Sequence, residues 1–197
     1  MIQRIIGVTG GIATGKTTIT NYLHHHYQLT ILDADLYARE ALNAERLQLI
    51  QERYGSQILT KEGSLDRQRL GAIIFDDEKE RRWLETLIHP YVTNRLQLAA
   101  QELFPNPVIM AIPLLFEANL QHLVTEIWVV TCTPELQQQR LCQRNNLTII
   151  EAQQRVAAQM PLKEKIMQAD IVFDNSGDLV HLWQQIDQVM AQAIALQ

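Results

Sequence analysis

The sequence predicts an α/β fold, a mainly parallel five-stranded sheet held between two helical layers as a three-layer sandwich. Three observations predict it. Five short apolar runs alternate with stretches whose apolar residues recur at helical spacing, the pattern of strands joined by crossover helices. The first run leads into Gly10–Gly11–Ile12–Ala13–Thr14–Gly15–Lys16–Thr17, which fits the phosphate-binding pattern G-x-x-x-x-G-K-[ST]. The second and third runs lie about seventy residues apart, far more than one crossover helix requires, so a helical insertion belongs between them.

Each element follows from local pattern. Ile5–Ile6–Gly7–Val8–Thr9 reads as a buried strand, and Ile19, Tyr22 and Leu23 behind the glycine loop recur at helical spacing. Strand, glycine loop and helix start in that order aim backbone N–H groups and the positive end of a helix dipole at one point. Lys16 adds a full charge for the outer phosphates, and the Thr17 hydroxyl is placed to ligate magnesium. ATP or GTP is the expected ligand, with Thr18 opening the helix beside it. Leu29–Thr30–Ile31–Leu32–Asp33 is the second strand. One helix over roughly 35–53 carries Leu36, Leu42, Leu47 and Ile50. Gly55 and Gly63 punctuate the next stretch. Asp66 to Ala100 reads as helix broken near His89–Pro90, because proline disfavours helix in the residue before it.

Val108–Ile109–Met110–Ala111–Ile112 is the third strand, Glu126 to Thr131 the fourth, and Ile171–Val172–Phe173 the fifth. Between the last two, Thr133–Pro134–Glu135 offers an N-cap, a first-turn proline and an acid at the positive end. Thr148–Ile149–Ile150–Glu151 is a capping box, so a helical hairpin is expected there. A terminal helix from about 178 buries Leu179, Leu182, Ile186, Val189 and Met190.

A chain of 197 residues suits one domain with insertions. The core is expected over about 1–35, 101–135 and 166–197, a helical substrate-side insertion over about 36–100, and a helical lid over about 136–165. A net charge of −5 supplies no global basic field, so neither nucleic acid nor an acidic membrane is an expected partner. Cys132 and Cys142 match no metal spacing and make a poor disulfide framework, which suits reduced thiols. The N-terminus enters the first strand almost at once, leaving no room for a signal peptide, and no apolar run approaches about 20 residues. A cytoplasmic monomer is expected.

Ligands of open parallel sheets bind beyond the carboxyl ends of the strands. The second strand ends in Asp33–Ala34–Asp35, where phosphoryl transfer would need a group to orient and deprotonate the attacking hydroxyl. Asp33 is the better base candidate, while Asp35 suits metal support or a helix cap. As plain residues, both would be strand-end turn residues. Arg140 and Arg144 share a helix face, with Arg155, Lys163 and Lys165 further along the hairpin, where cations could neutralise charge on a transferred phosphoryl group or simply be solvated. Asn175, in Asp174–Asn175–Ser176–Gly177, either helps cradle an adenine or belongs to an ordinary turn. His24–His25–His26 reads as solvated histidines at a helix end. His89 either contacts substrate or caps a helix.

Together these residues resemble the dephospho-CoA kinase family along the whole chain. The resemblance runs through Thr9–Gly10–Gly11–Ile12, Asp33–Ala34–Asp35 with Arg39, Asp66–Arg67 with Leu70, and Phe75. It continues through His89–Pro90, Pro113–Leu114–Leu115–Phe116–Glu117, Arg140 with Arg144, Arg155 with Gln159–Met160, and Ala169–Asp170 leading into Asp174–Asn175–Ser176–Gly177. It implies a P-loop NTPase-type fold and transfer of the ATP γ-phosphate to the 3′-hydroxyl of the ribose of dephospho-CoA, with magnesium. It further implies Asp33 as base, Lys16 and Thr17 on phosphates and metal, and Arg140 in the lid. Asp35, Arg39, His89, Leu114, Glu117 and Arg155 would lie on the substrate side.

Two departures stand out. Ala13–Thr14 replaces the family's frequent Gly-Ser, which the cradle tolerates if Ala13 keeps an ordinary φ. Ala111 stands where many members carry an aspartate, which throws more weight on Asp33 or Asp35 for the metal, or on water. Kinases of the shikimate or gluconate type are the nearest alternative, and a nucleotide-dependent switch a more distant one, lacking Asn-Lys-x-Asp.

Overall fold

The computed structural model describes residues 2–195, without the side chains of 75, 76 and 193–195; the Phe75 side chain therefore lies outside the described residues. In chain order the elements are β1 (Ile5–Gly10), α1 (Lys16–Tyr27), β2 (Thr30–Asp33), α2 (Ala34–Ala41), α3 (Ala44–Tyr54), α4 (Arg67–Asp76) and α5 (Glu78–Glu102). They continue with β3 (Val108–Ala111), β4 (Glu126–Thr131), α6 (Pro134–Asn145), α7 (Ile149–Ala157), α8 (Leu162–Ile166), β5 (Ile171–Asp174) and α9 (Leu179–Ala195). The chain divides into two compact units, 1–33 with 99–197, and 34–98.

The first unit is built on the sheet. Its five strands are all parallel and ordered β2-β3-β1-β4-β5. β1 lies at the centre, so the loop that follows it opens between two neighbouring carboxyl ends, where such sheets bind ligands. On one face Ile19 and Leu23 of α1 and Leu182, Ile186 and Met190 of α9 pack with Ile6, Val8, Ile109, Trp128, Val130 and Phe173. On the other face Val124 lies so close to Gly7 that a Cβ there would come within 2.9 Å of it. The α8 helix also lies against β4 on that unit. The near-continuous apolar strands are what burial on both faces requires.

The 34–98 unit has its own core of Ile50, Ile58, Leu70 and Leu84, flanked by Tyr54, Trp83, Leu87 and Ile88. Two sequence expectations fail here. The helix expected over roughly 35–53 is two helices, because the Asn43 side chain accepts from the backbone N–H of Arg46 and starts α3 afresh. The break expected at His89–Pro90 lies instead at Asp77, whose extended backbone and carboxylate, accepting from Lys79 N at 2.7 Å, end one helix and begin the next. Pro90 sits inside the 25-residue α5. Its missing N–H costs about 3 kcal/mol, but Leu84, Val92 and Leu96 are buried on either side of it, each contributing roughly 1.5–3 kcal/mol.

Candidate active site

The phosphate loop is held in a shape few sequences allow. Gly10 has φ 154, and a Cβ there would lie 2.4 Å from the Val130 carbonyl oxygen. Gly15 has φ 107, and a Cβ there would lie 1.9 Å from Asn175 Nδ2. Ala13 does not keep an ordinary φ; it is left-handed at φ 61. A non-glycine residue there costs about 1–2 kcal/mol, so the surroundings must impose the conformation. Thr14 is fully buried, its hydroxyl donating to the Gly11 carbonyl at 2.9 Å. The first turn of α1 contains no acid to oppose an incoming anion.

Around the loop lies a cavity of about 710 Å³ lined by Gly11, Ala13, Gly15, Lys16, Thr17, Thr18, Arg140, Gln143, Arg144, Asn175 and Leu179. Arg140, on α6, is partly buried, and its Nη1 is buried with no hydrogen-bond partner. Burial pushes the neighbouring Cys132 thiol up, and the Arg140 guanidinium partly offsets this. Arg144 is exposed, four residues on. Asn175 is buried, and its Nδ2 donates to the Thr14 carbonyl at 2.8 Å. That donor fastens the loop from β5. Thr17 is exposed at the first turn of α1.

Asp33 ends β2, exposed, and is the register partner of Ala111 on β3, which is in turn the partner of Val8 on β1. Parallel register puts all three on one face of the sheet. The buried alanine leaves Asp33 without a carboxylate on the adjacent strand at that level. Asp35 lies in the first turn of α2 and Arg39 in its last, where each suits the helix dipole; His89 is partly exposed on α5. These three belong to the 34–98 unit.

The segment after β3 carries a buried ion pair. Lys165 is fully buried, with Nζ 2.8 Å from Glu117 Oε1 and donating to the Pro113 carbonyl at 3.3 Å. The same Glu117 oxygen accepts from Met160 N at 3.0 Å, and the Pro113 carbonyl also accepts from the Thr9 hydroxyl at 3.1 Å. Lys165 is therefore not a solvent-facing lid cation, because its charge is taken up inside the fold. Leu114 is exposed beside this node, and Arg155 is exposed on α7.

Two residues given no role from sequence grip the loop directly. The Ile12 N–H donates to Gln159 Oε1 at 2.7 Å, and Gln137 Nε2 donates to the Ile12 carbonyl at 2.8 Å. Gln137 sits in a run of three glutamines, and nothing in that run marks the one that is buried.

Among the described residues, no group of three or more His, Cys, Asp or Glu could hold a metal ion. A divalent ion here would rest on phosphate oxygens and water with one or two protein oxygens, and the Thr17 hydroxyl and Asp33 carboxylate are of that hard-oxygen type. Among the same residues, no helix is long and apolar enough to cross a membrane.

The profile of the family described as Dephospho-CoA kinase matches residues 4–181. A dephospho-CoA kinase of Trichormus variabilis is 52% identical over 189 residues, 95% of this chain and 96% of the relative. One from Synechocystis sp. is 52% identical over 187 residues, 93% of each chain. Among solved structures, a Thermus thermophilus protein superposes with TM-score 0.83 at 31% identity, covering 98% of both chains. The dephospho-CoA kinase from Campylobacter jejuni gives 0.72 at 26%, also over 98% of both. A shikimate kinase from Acinetobacter baumannii, at 0.57 and 17%, shares the fold alone.

Proposed function

The chain belongs to the dephospho-CoA kinase family, and from that membership we propose that it transfers the ATP γ-phosphate to the 3′-hydroxyl of the ribose of dephospho-CoA, giving coenzyme A and ADP. The observation that supports the donor half is the loop-lined cavity bordered by Arg140, whose buried Nη1 has no protein partner. A desolvated guanidinium nitrogen without a hydrogen bond is costly unless a ligand supplies the acceptor. A phosphate oxygen does so, and the contact strengthens as charge gathers on the transferred group. The loop amides and Lys16 hold the remaining phosphate charge.

Asp33 takes the proton from the ribose hydroxyl, and its exposed position at the carboxyl end of β2 suits an acceptor arriving from solvent. Thr17, with Asp33, would hold magnesium, which neutralises phosphate charge when bound. On the family resemblance, Arg39, His89, Leu114, Glu117 and Arg155 serve the acceptor. The node around Lys165 supports a positioning rather than a contacting role for the Glu117 oxygen bound there. Arg144 and Asn175 border the nucleotide, Asn175 by shaping the loop. Helices 136–165 act as a lid. Two free cysteines fit a reducing cytoplasm, and a monomer suffices for this chemistry.

A coupled ADP-release assay across dephospho-CoA, shikimate and gluconate, with and without magnesium, tests the reading. Magnesium-dependent turnover at least a hundredfold faster on dephospho-CoA is expected. Faster turnover on either other acceptor, or hydrolysis indifferent to all three, overturns it.

A further inference from the structure

The Ile12 residue is held at both ends of its own peptide units by the hairpin region: its N–H by Gln159, just past α7, and its carbonyl by Gln137 on α6. The next residue, Ala13, carries the loop's one left-handed non-glycine conformation. These observations belong together. An alanine stays at φ 61 only where its neighbours over-determine it, and the adjoining Ile12 has both backbone polar groups fixed by side chains. On the far side, Thr14 is fixed through its carbonyl by Asn175.

We infer that Gln159 and Gln137 are positioning residues for ATP: they clamp Ile12 so that Ala13 is forced left-handed and the following amides converge on the phosphates. The inference rests on the donor-site reading above. The hydrogen bonds have a second effect. With its N–H turned to Gln159, Ile12 is withdrawn from the phosphate cradle, and the donors left for the anion are those of the residues after it. The clamp also ties the hairpin bearing Arg140 to the loop that Arg140 must serve.

The test uses the isosteric variant Q159M, which removes the acceptor oxygen at a partly exposed position, alone and combined with A13G. Direct ATP titration without any acceptor substrate is the main readout. Q159M should weaken ATP binding about tenfold, the range of a left-handed alanine penalty released. In the A13G background, where no such penalty exists, the same change should cost less than about threefold. The KM for ATP should rise while that for dephospho-CoA stays within about twofold. Amide exchange at residue 12, which needs no nucleotide, should quicken at least tenfold in Q159M. Q137A should reproduce the ATP effect, with exchange reporting on the fold. Equal losses in both backgrounds, unchanged ATP affinity, or an Ile12 amide unprotected in the native protein would each overturn the inference. Failure of the native protein to phosphorylate dephospho-CoA would defeat the functional reading while leaving this titration and exchange comparison intact.

Discussion

Asp33 and Ala111 are register partners on neighbouring strands, and that pairing makes the carboxylate at 33 the lone acid of its row. Replacing it by Asn keeps size and polarity but removes the base, so kcat should fall by about 10²–10⁴. ATP affinity, measured by titration, should hardly move. An unchanged kcat would make Asp33 a spectator. Arg140 carries an Nη1 that is buried without a hydrogen-bond partner. Arg140→Ala should lower kcat by more than it raises either KM, since charge on the phosphoryl group peaks in the transition state. Steady-state kinetics with each substrate varied in turn separates the two effects. Sequence reasoning singles out both residues as candidates, because strand ends and helix faces follow from periodicity. It missed the geometry of Ala13, since a left-handed alanine is imposed from outside the loop and leaves no local sign.

Helices and their ends show where local rules suffice. The capping box at Thr148 forms as the sequence says, with Thr148 accepting from Glu151 N and Glu151 accepting from Thr148 N. Proline at 90 fails as a breaker because burial on both sides outweighs one lost hydrogen bond, whereas Asp77, with its carboxylate on a nearby N–H, succeeds. Between elements, the Lys165–Glu117 pair joins α8 to the turn after β3. Lys165→Met should reduce stability in urea by about 3–5 kcal/mol, because it leaves a carboxylate half-buried and unpaired. Adding Glu117→Leu should recover most of that loss; no recovery would mean the lysine stem, not the charge, mattered. Within the 34–98 unit, Arg53 and Tyr54 of α3 hold Glu80 of α5, pulling its carboxyl from 4.5 down to about 2. Folded Glu80 thus binds fewer protons than unfolded Glu80 in that window. The contribution is complete above about pH 4.5 and disappears as pH falls towards 2. Glu80→Gln should flatten acid unfolding in that window, read by circular dichroism, and should do so less in high salt.

At the scale of the molecule, strand count, order of elements and the long gap before β3 were legible, since alternation of periods and spacing carry them. The contacts that finish the site were not. Gln137, Gln159, Asn175 and Lys165 reach their partners across the chain, and a side chain's distant partner leaves no trace in its neighbours. The site they complete should respond as one body. ATP with magnesium at a hundredfold its Kd should add about 2.7 kcal/mol and raise the Tm by roughly 5–10 °C. Shikimate or gluconate in place of ATP should raise it by less than about 1 °C. A Tm indifferent to ATP would leave the cavity without its assigned ligand.

The hydrogen bond between Asn175 and Thr14 spans 161 positions, and that between Gln159 and Ile12 spans 147. On a ribosome, the glycine loop therefore emerges well before the side chains that give it its shape, and waits for them. At about 5–20 residues per second, that wait lasts on the order of ten seconds. A nascent or truncated chain ending before residue 175 would carry the entire glycine signature and still lack a formed nucleotide site. Such a fragment would neither sequester ATP nor hydrolyse it while synthesis is under way.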